Sequence, residues 1–204
     1  MDKIDKIVYI NLDHRTDRNE QIINEFKKIN IEKYQRFPAI KRDFGSLGCG
    51  LSHVAVLTDF ASDDQLQIGM IIEDDAQFQI NRQTLDTYIE EFIKDTRSVV
   101  LCLGFNARNI QPYNNHFYRT CDTQTTSCYV IKKAFVNTLL SNLSEACDNL
   151  ASISDRSHAV GNYSIDIYWK RLQHDHIYLI PRQRAVIQRA SYSDISKCHT
   201  NYYV

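Results

Sequence analysis

Short apolar segments alternate along the chain with segments whose apolar residues recur every three or four positions. The first apolar run, residues 6–10, is rich in β-branched side chains and is typical of a buried strand. Ile22, Phe26 and Ile29 follow at helical spacing and predict a helix with one apolar face. The alternation continues with strands predicted at 34–40, 66–72, 99–103 and 127–132, and helices at 46–61, 85–92 and 135–143. This pattern predicts an α/β fold with a mainly parallel central sheet.

The remainder of the chain continues the pattern more weakly. Residues 165–172 are predicted to be helical, and short strands are predicted near 178–180 and 186–188. The 204 residues contain no repeat, low-complexity stretch or linker, and this length suffices for one hydrophobic core. The sequence therefore predicts a single domain over residues 1–204.

The ends of three predicted strands are expected to form a binding rim. In open α/β sheets, ligands bind outside the carboxyl ends of the strands. Segments 11–18, 73–75 and 104–108 each follow a predicted strand. We expect these three segments to lie along one edge of the sheet.

An acidic triplet, Glu73, Asp74 and Asp75, directly follows the apolar strand that ends at Ile72. Carboxylates at such a position can hold a hard divalent cation through oxygen. In an extended segment Glu73 and Asp75 point to the same side, so that this pair could share one metal ion. The alternative interpretation is a solvated acidic turn, which the triplet and its position leave equally open.

A glycine-rich turn opens the helix predicted at 46–61, since three of the six glycines fall between Gly45 and Gly50. Helix N-termini offer free N–H groups to phosphate, but the spacing matches neither a P-loop nor GxGxxG. His53 follows inside this helix, where a single histidine is more often a packed or capping residue than a catalyst.

Other candidate residues are less specific. Arg15 and Arg18 follow the first strand and could pair with a diphosphate, although on their own an ordinary charged helix start is the better explanation. Asp166 lies beside Tyr168 and Trp169, and an acid near aromatic side chains can act as general base at a sugar pocket, although it is as often a surface residue.

Composition excludes several classes of protein. The net charge is -1, with 24 Lys+Arg and 25 Asp+Glu, so nothing in the overall charge favours nucleic acid as a partner. No apolar run reaches the roughly 18 residues of a membrane span, and the charged N-terminus lacks the apolar stretch of a signal peptide. The six cysteines contain no CxxC pair, which argues against zinc and favours reduced thiols. We expect a cytoplasmic protein, and peripheral attachment to a membrane is left open.

Taken together and in order, these motifs resemble glycosyltransferase family 25, which includes bacterial lipopolysaccharide galactosyltransferases and collagen galactosyltransferases. The resemblance covers nearly the whole chain. Its motifs are residues 8–13 with Arg15 and Asp17-Arg18, residues 45–53 with Ser52-His53, residues 71–75, residues 125–131, Asp166, and residues 188–195.

The resemblance implies a GT-A-like nucleotide-sugar fold, which is Rossmann-like. It implies that Glu73, Asp74 and Asp75 hold Mn²⁺ or Mg²⁺ on the donor diphosphate, where the cation stabilises the leaving group. Asp166 is the implied catalytic base of an inverting transfer. The residues expected near the donor are Asn11, Arg15, Arg18, Ser52, His53, Gln188, Ser193 and Asp194. The implied reaction moves galactose or another hexose from a UDP-sugar to a glycan or protein-linked acceptor, as in lipopolysaccharide biosynthesis.

Two alternatives from other classes remain open. A non-catalytic relative would bind the nucleotide sugar or a glycan without transfer. A metal-dependent phosphohydrolase or nucleotidyltransferase would need a second acid cluster for a two-metal site. The pair Asp63-Asp64 could supply one, although it sits in a polar segment and is expected to be solvated.

Overall fold

The computed structural model describes residues 1–193 and 198–200, with side chains as far as residue 190. Within that part the strands are β1 Lys6–Asn11, β2 Gln35–Pro38, β3 Ile68–Glu73, β4 Ala76–Phe78, β5 Ser98–Cys102, β6 Asn106–Pro112, β7 Phe117–Gln124, β8 Cys128–Lys132, β9 Ile177–Pro181, β10 Val186–Gln188, β11 Ser191–Ser193 and β12 Cys198–Thr200. The helices are α1 Thr16–Lys28, α2 Gly45–Ser62, α3 Arg82–Lys94, α4 Lys133–Ser152, α5 Arg156–Tyr163 and α6 Ile165–Tyr168, and a 3₁₀ turn, Trp169–Gln173, follows α6.

Eight strands form the central sheet in the order β2-β1-β3-β8-β5-β9-β7-β6. The predicted α/β class is confirmed. The sheet is more mixed than the mainly parallel one predicted: β1–β2, β1–β3 and β5–β9 pair in parallel, and the other four pairings are antiparallel. The reason is that β8 enters between β3 and β5 in the opposite direction, and that β6 and β7 form an antiparallel hairpin at the edge.

The hairpin β6–β7 was not predicted from the sequence. Strand β6 is almost entirely exposed and polar, so it lacks the apolar alternation that marks a half-buried strand. The segment predicted on the rim at 104–108 therefore runs into this hairpin.

Apolar side chains cover both faces of the sheet. Along β1, Ile7 and Tyr9 pack on one side and Val8 and Ile10 on the other, as the period of two requires. Helices α1 and α3 cover the first face, and α2 and α4 cover the second with Trp169. Each fully buried large side chain stabilises the fold by about 1.5–3 kcal/mol. No helix among the described residues is long and apolar enough to cross a bilayer.

Two short elements place polar groups near the end of β3. Strand β10 pairs antiparallel with β4 and sets Gln188 opposite Ala76, next to the acidic triplet. Residues 125–127 connect β7 to β8, which are separated in the sheet by β9 and β5. This crossing segment therefore passes over the sheet edge, and the Glu73 N–H donates to the Ser127 carbonyl at 2.8 Å.

The first turns of α2 are tightly packed against the preceding loop. A Cβ added at Gly48 would lie 2.6 Å from the Ile40 carbonyl oxygen. The Ser52 hydroxyl holds that loop in place, because it accepts the Ile40 N–H at 2.8 Å and donates to the Gly48 carbonyl at 2.7 Å.

We expect Gly48→Ala to destabilise the protein by about 1–3 kcal/mol, since a fixed backbone atom must move to admit the methyl group. Gly161→Ala is the matched control, because a Cβ there meets nothing within 4 Å. Alanine favours the helix at both positions by up to about 1 kcal/mol. Urea denaturation of the two variants should therefore show opposite signs, and equal stability changes would contradict the packing argument.

Candidate active site

The acidic triplet lies at the carboxyl end of β3, beside the end of β1. The two strands run in parallel with Ile10 opposite Glu73, which brings Asn11 against the acids. The Asn11 side-chain amide donates to Asp74 Oδ2 at 2.8 Å. The expectation that segments 11–18 and 73–75 share one rim is thus met.

Arg18, in the first turns of α1, pairs with two of the three acids. Its Nη1 lies 2.9 Å from Asp74 Oδ1 and 3.0 Å from Asp75 Oδ2. Both carboxylates are buried, and burial raises the pKa of Asp74 while Arg18 and Asn11 oppose the rise. Burial and the charge of Glu73 raise the pKa of Asp75 to about 7, against the pull of Arg18. The triplet is therefore a closely spaced, largely buried group of acids held by Arg18, not a solvated turn.

Glu73 turns toward α2 and the crossing segment. The Thr126 hydroxyl donates to Glu73 Oε1 at 2.7 Å, and His53 Nε2 lies 3.4 Å from the same oxygen. Although burial favours the neutral acid, these two neighbours lower the pKa of Glu73. The other ring nitrogen of His53, Nδ1, lies 3.1 Å from the Tyr129 hydroxyl. Glu73 is consequently the member of the triplet whose pKa lies below its ordinary value.

A first cavity opens above the triplet and combines acidic with basic side chains. Its charged or ionisable lining residues are His14, Arg18, Lys41, Arg42, His53, Glu73, Asp74 and Asp75, and Ser52 and Gln188 also face it. Gly45 and Gly48 border it at the start of α2, and the Gly48 N–H already donates to the Phe44 carbonyl at 3.1 Å. Such a cavity suits a phosphorylated ligand together with a cation.

Two of the predicted donor-binding residues, Asn11 and Arg15, do not line this cavity. Asn11 supports Asp74 and accepts Arg36 Nε at 3.0 Å. Arg15 forms a two-pronged pair with Asp17, with both N···O distances 2.9 Å. Among the residues that line the two cavities described here, neither Asn11 nor Arg15 appears. Their direct contact with a donor stays a prediction, and their observed contacts are with the framework.

A second cavity adjoins the first and is lined mainly by uncharged polar groups. Its lining residues are Ser46, Cys49, Glu73, Asn106, Gln124, Thr125, Thr126, Ser127, Ser164, Ile165, Asp166 and Gln188. Asp166 Oδ2 accepts the Thr125 N–H at 3.1 Å. Burial raises the pKa of Asp166, with a further rise from the charge of Glu73. Asp166 is thus a half-buried acid at a hydroxyl-rich pocket, where the sequence suggested a base.

Cys49, Glu73 and Gln188 line both cavities and so lie where they meet. Gln188 Nε2 donates to Asp75 Oδ2 at 3.1 Å, as the pairing of β10 with β4 allows. Burial and the charges of Glu73 and Asp166 raise the pKa of the Cys49 thiol well above its usual value, so this thiol is a poor nucleophile at neutral pH.

The remaining residues predicted from the sequence lie in different parts of the molecule. Ser52 and His53 both face the first cavity, but Ser52 also fixes the loop before α2. Asp194 and the side chain of Ser193 lie outside the described residues. The pair Asp63-Asp64 is exposed at the end of α2, before β3 begins, and so is remote from Glu73 along that strand.

Sequence analysis missed Lys41, Arg42 and Thr126 as site residues. Lys41 and Arg42 stand just before the glycine-rich turn, and two basic residues ahead of a helix start are a usable signal for anion binding. Thr126 carries no comparable signal, since its approach to Glu73 depends on a strand crossing.

Comparison with known proteins agrees with this architecture. A model of glycosyltransferase family 25, described as an LPS biosynthesis protein family, matches residues 43–152, slightly more than half of the chain. The chain therefore belongs to glycosyltransferase family 25. With the α/β sheet and the acids at the end of β3, this membership confirms the GT-A-like fold.

Relatives outside the family model are distant. "Putative glycosyltransferase R655" of Acanthamoeba polyphaga mimivirus is 27% identical over 117 residues, which are 47% of this chain and 36% of that protein. The matched part thus spans about a third of that relative's length.

Solved structures are similar only in outline. Mannose-1-phosphate geranyltransferase of Thermus thermophilus has a TM-score of 0.48 and 11% identity, and the alignment covers 92% of this chain and 74% of that one. A glycosyltransferase involved in glycosylation of the major capsid of PBCV-1 has a TM-score of 0.46 and 7% identity, with 87% and 91% covered.

We expect Arg18→Leu to cost about 3–5 kcal/mol of stability at about pH 9, above the pKa of about 7 that Asp75 has beside Arg18, because it leaves buried carboxylates without their cation. Arg18 lowers the pKa of Asp74 and Asp75, so the loss should be present above those pKa values and shrink as the pH falls through them. Urea denaturation at about pH 9 and at about pH 5 measures this. Arg97→Leu, which removes an exposed partner of Asp95, should change stability by less than about 1 kcal/mol at either pH. If the free energy of unfolding that Arg18→Leu loses does not depend on pH, the electrostatic explanation is contradicted.

Proposed function

We propose that this protein is a metal-assisted glycosyltransferase that moves a hexose from a UDP-sugar to a hydroxyl of a glycan or glycosylated acceptor. The observation that carries the proposal is the position of the acidic triplet. All three acids line a cavity with basic side chains, and Glu73 also lines a cavity with hydroxyl groups and Asp166. Family membership supports transfer as the reaction class.

The first cavity is assigned to the nucleotide diphosphate. Arg18, Lys41 and Arg42 supply positive charge along its wall, and the start of α2 borders it. The hexose would then lie near Cys49 and Gln188, where the first cavity meets the second.

The triplet fits a hard divalent cation such as Mn²⁺ or Mg²⁺. Asp75 Oδ1 is buried and has no hydrogen-bond partner among the described residues, whereas both Asp74 oxygens are occupied by Asn11 and Arg18. Oxygen donors of this kind are the ligands that such cations prefer. Asp75 is therefore the principal ligand, with Glu73 beside it and Asp74 in support. When bound, the cation would offset the negative charge that develops on the diphosphate.

Asp166 is assigned as the base that takes the proton from the acceptor hydroxyl. It faces the second cavity, on the side of Glu73 away from the basic residues. The Thr125 N–H donates to Asp166 Oδ2 at 3.1 Å and so orients the carboxylate. A single base with no covalent intermediate corresponds to inversion at the sugar carbon. The high pKa of the Cys49 thiol agrees with this, because it leaves that residue a weak nucleophile.

Galactose is the sugar that we propose first, because the family resemblance includes galactosyltransferases. The test is a panel of UDP-sugars incubated with the protein and Mn²⁺, with and without chelator. Release of UDP from one donor, dependent on metal, supports the proposal and names the sugar. Stabilisation by UDP with metal but no release would favour the alternative of a binding-only relative.

Asp75→Asn should remove the metal-dependent part of UDP binding and weaken affinity by at least about tenfold, or 1.4 kcal/mol. The amide keeps the shape of the side chain but loses the charge that holds the cation. Calorimetry with UDP and Mn²⁺ measures the change. Asp63→Asn, an exposed acid at the far end of α2, is the control and should bind as the parent does. Unchanged binding by Asp75→Asn would refute its role.

Asp166→Asn should lower kcat by about 10²–10⁴-fold with donor binding unchanged, as expected for a lost general base. In the parent, activity should fall as the pH drops through the raised pKa of Asp166, because only the carboxylate accepts a proton. The residual activity of Asp166→Asn should lack this acid limb. Asp122→Asn is the matched control, because Asp122 is a partly exposed acid on β7 that pairs with Lys170. Near-normal turnover by Asp166→Asn would exclude it as the base.

A further inference from the structure

Cys49, His53 and Glu73 bring three metal-binding atoms together at the point where the two cavities meet. Cys49 and His53 are four residues apart in α2 and therefore share one face of the helix. Glu73 faces them from the end of β3. One ligand atom from each residue lies within 4.8 Å of the other two.

His53 Nε2 is buried and lacks a hydrogen bond. The side chain is 1% exposed, and Nε2 has no hydrogen-bond partner among the described residues although Glu73 Oε1 lies 3.4 Å away. Nδ1 contacts the Tyr129 hydroxyl at 3.1 Å, which leaves Nε2 as the ring nitrogen that faces Glu73. Buried polar atoms are seldom left in this state, and a bound cation would satisfy this one.

The spacing of these atoms is close to that around zinc. Zn–N and Zn–O bonds of about 2.0–2.2 Å at a tetrahedral angle place the N and O ligands about 3.3–3.5 Å apart. The observed separation between His53 Nε2 and Glu73 Oε1 is 3.4 Å. The Cys49 sulfur lies within 4.8 Å of the other two ligand atoms, so it needs to move by at most about 1.3 Å to reach the spacing that Zn–S bonds of about 2.3 Å require.

We propose that Cys49, His53 and Glu73 form a zinc site with three protein ligands. The fourth position would face the cavities that Cys49 and Glu73 line. Binding converts the Cys49 thiol to thiolate and releases its proton to solvent. Sequence spacing argued against zinc because it lacks a cysteine pair, but the ligands here come from a helix and a distant strand.

The zinc site differs in chemistry from the carboxylate site proposed for Mn²⁺ or Mg²⁺. Thiolate and imidazole favour Zn²⁺, whereas all-oxygen sets favour the harder ions. Because Glu73 belongs to both groups, zinc and the harder cation should compete. That consequence rests on the proposed function, while zinc binding itself does not.

Contacts around the ligands match what a metal site needs. The Tyr129 hydroxyl contacts His53 Nδ1, the ring nitrogen that would not bind the metal, and the Thr126 hydroxyl donates to Glu73. Such partners orient the ligands, and their loss commonly costs about 10–100-fold in metal affinity.

The experiment titrates reduced, metal-free protein with Co²⁺ and then displaces it with Zn²⁺, without donor or acceptor. We expect one equivalent of Co²⁺ with thiolate-to-cobalt absorption. Cys49→Ser should lose that absorption and bind Zn²⁺ at least about 10–100-fold more weakly. Losing a direct ligand should weaken metal binding at least as much as losing a residue that only orients a ligand. Tyr129→Phe should keep the absorption but weaken affinity by about 10–100-fold.

Cys121→Ser is the matched control, because Cys121 is a partly exposed thiol on β7 outside both cavities. It should bind Co²⁺ as the parent does. Circular dichroism confirms that each variant is folded. Retention of the thiolate absorption by Cys49→Ser, or its loss in Cys121→Ser, would overturn the assignment. Since no transfer is measured, failure here would leave the proposed function standing.

Discussion

The contact between Arg18 and two buried carboxylates is the constraint on which the site depends. Asp74 and Asp75 are adjacent, and burial disfavours their charged forms. One guanidinium nitrogen within 3.0 Å of both offsets that cost. Arg18 reaches them only because α1 starts directly after β1 and because β1 lies beside β3. The first strand, the first helix and the acidic turn must therefore form together.

A division of charge follows from this arrangement. Basic side chains such as Lys41 and Arg42 gather on one side of the triplet, whereas hydroxyl and amide groups gather on the other with Asp166. Glu73 and Gln188 belong to both sides. In the function that we propose, this order separates the charged leaving group from the acceptor, so that the base is not neutralised by the cations that hold the diphosphate.

The sequence predicted those features that depend on local periodicity or on position after a strand. Burial of Ile22 and Phe26 follows from helical spacing, and the acids were found because they follow an apolar strand. The hairpin β6–β7 was missed because its exposed strand carries no apolar pattern. The contact between Thr126 and Glu73 could not be predicted from the sequence either, because it depends on how the β7–β8 connection crosses the sheet. Long-range contacts of this kind cannot be predicted from the spacing of residues along the chain.

That same connection ties the candidate base to the acids. At one end of the crossing segment the Thr125 N–H binds Asp166, and at the other Thr126 and Ser127 bind Glu73. Thr125 has φ 84°, a left-handed conformation that costs a β-branched residue about 1–3 kcal/mol. The hydrogen bonds on both sides of Thr125 offset that strain. Three residues therefore fix the position of Asp166 relative to Glu73, and neither carboxylate can shift without disturbing the other.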